Sequence, residues 1–171
     1  GAERILEVGA GTAATAEPVL KATQSTRRSY HFTDVSTQFL NDARSRFHDQ
    51  SRVSYALFDI NQPLDFAAHP AEGYDLIIAV NVLHDASHIV QTLRRLKLLL
   101  KTGGRLLIVE ATERNSVFQL ASVGFIEGLS GYRDFRRRDE KPMLARSAWQ
   151  EVLAQAGFVN ELAWPTQESS P

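Results

Sequence analysis

Ile5-Leu6-Glu7-Val8-Gly9-Ala10-Gly11 is an apolar run with one acid that passes straight into a glycine turn, and helix-forming residues follow. A strand entering a helix through such a turn is the ligand-binding unit of open α/β sheets. Gly9 and Gly11 let the main chain turn sharply and approach a ligand closely, because a Cβ would block the turn or the contact. The stretch Gly9-Ala10-Gly11-Thr12-Ala13-Ala14 also fits the looser dinucleotide pattern that ends in alanine. Glu7 discriminates between ligands. A pyrophosphate at the helix start would be repelled by an acid at this position, whereas a cationic group or a ribose hydroxyl would be welcome. The turn therefore predicts a nucleotide-like cofactor that carries positive charge and no phosphate, which describes S-adenosylmethionine.

Outward from this turn, strand-like and helix-like segments alternate, the pattern of a mostly parallel sheet with helices on both faces. Strands are expected at about 4–8, 29–34, 52–59, 74–81, 104–111 and 158–164. Phe39, Leu40, Ala43 and Phe47 form one helical stripe. Ile89, Leu93, Leu96 and Leu100 form another, closed by Gly103-Gly104. Ser147 and Gln150 have the spacing of a capping box for a helix that carries Trp149, Val152, Leu153 and Ala156 and stops at Gly157. Pro18 predicts a kink or a late start for the first helix. Residues 61–73 read as a loop, and 112–146 as a helical insertion that takes in the basic stretch Arg136-Arg137-Arg138, read as solvated.

The chain has 171 residues, a net charge of −1 with acids and bases well mixed, and no cysteine. That length accommodates one domain with a full core. No basic stripe argues for nucleic acid, and no basic amphipathic helix argues for a membrane. Without cysteine there are no disulfides, thiolate nucleophiles or cysteine-ligated zinc sites. The remaining histidines, His31, His48, His69 and His88, match no zinc spacing, so no metal is expected. A cytoplasmic protein fits this composition. The chain enters a strand at once, which suggests an excised piece of something longer, without the N-terminal segment that would cover the cofactor, and hence a fragment less active than an extended form.

Ligands of open parallel sheets bind beyond the carboxyl ends of the strands, near the point where strand order reverses. Four polar residues close successive strands there. Asp34 closes the second, at the separation from the glycines where an acid accepts from ribose hydroxyls. Asp59 closes the third in Phe58-Asp59-Ile60, where a carboxylate can accept from an adenine amino group between apolar neighbours. Asn81 closes the fourth, in Asn81-Val82-Leu83-His84, and Glu110 the fifth.

With these residues in place, the chain resembles the methyltransferase domains embedded in polyketide synthases and hybrid polyketide/nonribosomal peptide synthetases. The resemblance runs through residues 5–12, Phe32-Thr33-Asp34-Val35-Ser36, Phe58-Asp59-Ile60, residues 74–84 and Ala156-Gly157-Phe158, in order and at family-like spacing. It implies a Rossmann-like class I methyltransferase fold over residues 1–171 and cofactor positions at Glu7, Gly9, Ala10, Gly11, Asp34, Val35, Asp59, Ile60 and Asn81. It also implies catalytic roles for His84 and Glu110, which match the family's His–Glu pair. The implied reaction moves a methyl group from S-adenosylmethionine to the α carbon of a β-ketoacyl thioester. The implied partners are an acyl carrier protein that tethers the substrate on phosphopantetheine, and neighbouring synthase domains. Ala13 and Ala14 depart from the family, which usually has one or two further glycines after Thr12.

The carbon between a ketone and a thioester is acidic enough for a neutral imidazole to act as base, and the unperturbed pKa of histidine lies near working pH. A carboxylate on the other ring nitrogen would fix the tautomer and stabilise the imidazolium that forms. Tyr132 and Phe135 serve equally as pocket walls or as core. Other readings of the same residues are an oxygen or nitrogen methyltransferase, and a cofactor-binding or scaffolding module without catalysis. An NAD-dependent dehydrogenase would need a substrate domain for which the chain has no room.

Overall fold

The computed structural model describes residues 3–25, 27–70, 73–112, 131–139 and 143–164. Five parallel strands make one sheet: β1 (Glu3–Val8), β2 (Arg28–Asp34), β3 (Val53–Leu57), β4 (Tyr74–Val80) and β5 (Leu100–Val109). Their order is β3-β2-β1-β4-β5. The chain winds outward from β1 to β3, then returns to place β4 on the other side of β1. Strand order thus reverses between β1 and β4, and the tips of these two strands flank the crevice where such sheets bind ligands.

Both faces of the sheet are covered, so the strands read as nearly continuous apolar runs. On one face Ile5, Tyr30, Phe32 and Ile78 pack against Ala16 and Leu20 of helix α1 (Ala16–Ala22) and Leu40 and Ala43 of α2 (Thr37–Arg46). On the other, Leu6, Val8, Ile77 and Ala79 meet Leu93, Leu96 and Leu99 of α3 (Ile89–Leu99) and Val152 of α5 (Arg146–Gln155). A one-turn helix, α4 (Arg136–Asp139), precedes α5. The alternation of Ile5, Leu6, Glu7 and Val8 between faces is the period-2 geometry of a strand.

Pro18 sits in the first turn of α1, where its missing N–H has no helical partner to lose; the helix starts late, as its position predicts. The end of α5 follows the sequence too. Gly157 takes φ +84°, its N–H donates to Ala154 and that of Phe158 to Leu153, a Schellman closure.

Other expectations are corrected. No strand forms over 158–164: Asn160 takes φ +56°, which breaks the extended path, and Val159, Leu162 and Trp164 are exposed. The helix before β5 ends at Leu99, ahead of Gly103-Gly104, because Leu100 already pairs with Tyr74. Gly104 is needed by the sheet instead, since a Cβ there would come within 2.9 Å of the Tyr74 carbonyl. The proposed capping box does not form: Ala145 is the N-cap of α5, and Ser147 lies inside the first turn. Of the expected 112–146 insertion, residues 113–130 and 140–142 lie outside the described residues.

Candidate active site

Everything at the crevice depends on two turns. In the first, Gly9 and Gly11 take φ +63° and +50°, the left-handed region that side chains resist. They differ in what surrounds them. A Cβ on Gly9 would come within 2.3 Å of Val82 Cγ2, so this glycine lets the first turn pack against the second. A Cβ on Gly11 would meet nothing within 4 Å, so here the missing side chain leaves space over the strand tip. Ala13 also takes a left-handed φ, +67°, where the family's usual glycine would be at ease. Ala10 is buried, and its N–H donates to the Thr33 carbonyl, which ties the turn to β2.

Asp34 holds the same turn from the side. Its carboxylate accepts from the N–H of Gly11 at 2.9 Å through one oxygen and from that of Ser36 at 2.8 Å through the other. Each oxygen keeps a second lone pair. Beside it Val35 is 64 % exposed, an apolar surface at a strand tip. Asp59 turns the next loop by accepting from Asn61 N–H at 2.8 Å, while Ile60 belongs to the core. Asn81 stands exposed at the tip of β4 with φ +49°, a conformation that asparagine tolerates better than most side chains.

Glu7 lies deeper than its neighbours, 2 % exposed, and accepts from the Tyr30 hydroxyl at 2.7 Å. Burial lifts its pKa to about 7; hydrogen bonds from Tyr30 and Thr15 pull the other way, and the charge of Asp34 adds to the rise. The acid is therefore buried between Tyr30 of β2 and Thr15 at the start of α1, both of which hydrogen-bond to it. Tyr30 and Thr15 carry no distinctive sequence signal. They read as ordinary strand and helix-start residues.

The second turn carries His84. It runs from Asn81 through a single 3₁₀ turn (Leu83–Asp85) to the start of α3. Glu110, just past β5, uses both oxygens here. One accepts from Val82 and Leu83 N–H at 2.8 and 2.7 Å, and the other meets His84 Nδ1 at 2.8 Å. The hydrogen bond to Glu110 raises the imidazole pKa above its ordinary value, desolvation works against it, the charges of Glu110 and Asp85 add to the rise, and Arg136 opposes it. An Asp85 oxygen lies 3.6 Å from His84 Nε2. The structure thus brings His84 and Glu110 together and places them beside the glycine turn, through the contact of Val82 with Gly9.

Two contributors are invisible in the sequence. Asn61 bridges the loops, donating to the Asp85 carbonyl at 3.1 Å and accepting from Ser87 N–H at 2.6 Å. Arg136, expected in a solvated run, is 1 % exposed, whereas Arg137 and Arg138 are exposed. Its burial is compensated by four hydrogen bonds from the guanidinium to Asp134 and to main-chain oxygens of the His84 turn.

A nucleoside cofactor with a cationic end fits these residues. The space at Gly11, the remaining lone pairs of Asp34, the exposed apolar Val35 and the tip residue Asn81 lie along one rim, with the buried acid Glu7 behind it. The comparisons agree with this reading. The methyltransferase-domain family model matches residues 6–106. A highly reducing polyketide synthase of Leptosphaeria maculans is 37 % identical over 164 residues, which cover 91 % of this chain and 6 % of the synthase. The carbon methyltransferase CurJ is 33 % identical with a TM-score of 0.82, covering 95 % of this chain and 44 % of that one. The trans-methyltransferase CalH, solved in complex with S-adenosylhomocysteine, is 32 % identical with a TM-score of 0.80, covering 92 % and 45 %. Fold and rim together define a Rossmann-like α/β methyltransferase. The chain belongs to the S-adenosylmethionine-dependent methyltransferase-domain family, in the branch that resembles the domains of polyketide synthases. It spans less than half of these solved relatives and a small part of the synthase.

Proposed function

We propose that this chain methylates the α carbon of a β-ketoacyl thioester carried by an acyl carrier protein. The observation that carries the reading is the 2.8 Å contact of His84 Nδ1 with Glu110, at a strand tip adjoining the cofactor turn. With Nδ1 engaged, Nε2 is the nitrogen left to act on a substrate. It takes the proton from the carbon between ketone and thioester, and the electron pair moves into the enolate. Glu110 holds the imidazolium that results, and its two main-chain hydrogen bonds keep it from following the ring. Bound S-adenosylmethionine supplies an electrophilic methyl group for the enolate carbon, the carbon–sulfur bond pair remaining with sulfur. Gly9, Gly11, Asp34, Asp59 and Asn81 hold that cofactor, and Glu7 acts from its buried position behind the rim. Holding the two reacting carbons together contributes up to ~7–11 kcal/mol in favourable intramolecular models.

The similarity to carbon methyltransferases and to polyketide synthases supports the substrate class and the placing of this domain among other synthase domains. The test is intact-mass analysis of carrier-bound 3-ketoacyl chains incubated with S-adenosylmethionine and this protein. A gain of one methyl is expected on a substrate with α protons. None is expected on the 2,2-dimethyl analogue, which has no α proton to lose. Methylation of that analogue would place the methyl group somewhere other than the α carbon and overturn the α-carbon assignment.

A further inference from the structure

The turn that presents His84 is short, polar and packed among three separate segments, so its main-chain groups need partners from elsewhere. Glu110 takes the N–H groups of Val82 and Leu83, and Asn61 takes the carbonyl of Asp85 and the N–H of Ser87. Four more partners come from one stretch, 133–136. Arg136 Nη1 donates to the His84 carbonyl at 3.1 Å, and Nη2 donates to the Ala86 carbonyl. Arg133 N–H donates to the Ser87 carbonyl at 2.7 Å, and Asp134 accepts from Ile89 N–H at 2.8 Å. That last bond caps α3, whose own N-cap residue, His88, makes no side-chain cap.

The guanidinium is itself held. Nε and Nη2 meet the two Asp134 oxygens at 2.9 Å each, a bidentate fork. Tyr132 lies under its face, with the guanidinium carbon 5.4 Å from the ring centroid. A buried arginine held by four guanidinium hydrogen bonds fixes the atoms it touches. Burial alone would raise the Asp134 pKa, but the Arg136 fork and the Ile89 N–H hold it below the ordinary value, so the pair stays ionised.

We propose that Arg136, locked by Asp134, is a positioning residue for His84: by fixing the carbonyls on either side of Asp85 it sets the angle at which the imidazole meets Glu110. This rests on reading His84 as the base. Lysine has one charged point where arginine has a planar fork, so it cannot reproduce two carbonyl bonds and the Asp134 pairing together.

The test compares carrier-bound methylation by wild type, Arg136→Gln, Arg136→Lys, His84→Ala and the Arg136→Gln/His84→Ala double variant. Calorimetry with S-adenosylhomocysteine reports on the cofactor site for each. Arg136→Gln is expected to lower kcat about 10- to 100-fold, the scale of a misplaced reacting group, with KM and S-adenosylhomocysteine affinity within about twofold of wild type. Arg136→Lys should recover part of the loss. In the His84→Ala background Arg136→Gln should cost nothing further, because its target is already gone. An equal loss in both backgrounds, or a loss that follows S-adenosylhomocysteine affinity, would show general damage and overturn the proposal. Wild-type kcat in Arg136→Gln with an inactive His84→Ala enzyme would overturn the positioning role and leave the base intact. Wild-type turnover by His84→Ala would overturn both.

Discussion

Glu110 does two jobs with two oxygens, and they separate under substitution. Glutamine in its place can still accept the Val82 and Leu83 N–H bonds, so the turn survives. Its other end, however, presents an NH₂ to His84 Nδ1. That nitrogen must then be the acceptor, the ring proton moves to Nε2, and the nitrogen facing substrate is no longer a base. Glu110→Gln is therefore expected to lose roughly 10²- to 10⁴-fold in kcat. The pH profile gives an independent reading. His84 is active when neutral, so the rate falls as pH drops through its pKa, which the hydrogen bond to Glu110 raises above the ordinary value. Without that carboxylate the acid limb should move to lower pH, even as the plateau falls. Asp85 and Arg136, the other charges facing the ring, remain in both proteins. An acid limb unchanged in Glu110→Gln would separate Glu110 from the titrating group.

The two glycine-turn positions make different demands on their element, although the sequence presents them alike. Gly9→Ala combines a left-handed φ, which costs about 1–2 kcal/mol, with overlap on Val82, which costs about 1–3 kcal/mol more. Denaturant melts should show a destabilisation of about 2–5 kcal/mol and a displaced His84 turn. Gly11→Ala should cost only the backbone share, about 1–2 kcal/mol, but place a methyl group where nothing stands in the protein. Its signature is weakened S-adenosylhomocysteine binding with a smaller loss of stability than in Gly9→Ala, and equal binding losses in the two variants would contradict the distinction. Elements of this kind were legible because the glycines, the apolar runs and Gly157 each answer to local geometry. What escaped the sequence answers to neighbours instead. Residues 158–164 have strand-forming side chains but, among the described residues, no ladder to join, Leu100 is claimed by Tyr74 before its helix can continue, and Arg136 looks like any surface arginine until Asp134 and two carbonyls surround it. The candidate site was legible at its strand tips for the same reason, and illegible in the loops that brace them.

Across the whole molecule, chemistry gathers at one end of the sheet. At the opposite end Asp75 accepts from Arg4 N–H at 2.7 Å and pairs with Lys101 at 2.8 Å, joining β1, β4 and β5 where no ligand is expected. Strand order reverses between β1 and β4, so a single cofactor lying across their tips touches turns from both halves of the winding and couples them. A ligand that binds the folded state only, present at a hundred times its Kd, stabilises it by about 2.7 kcal/mol, which for a chain of this size raises Tm by about 5–10 °C. S-adenosylhomocysteine should produce that shift here. Hydrogen exchange should slow at residues 9–15, 34–36 and 81–84, while the amides around Arg4 and Lys101 change no more than the global stabilisation requires. Asp34→Ala should lose most of the shift, because its carboxylate both offers acceptors and holds Gly11 in place. NAD at equal concentration should give little, since its pyrophosphate would have to settle beside the carboxylate of Asp34 and near that of Glu7. A larger shift with NAD would overturn the choice of cofactor, and protection centred on the Asp75 end would place the cofactor elsewhere and break the link between strand order and site on which this reading of the chain depends.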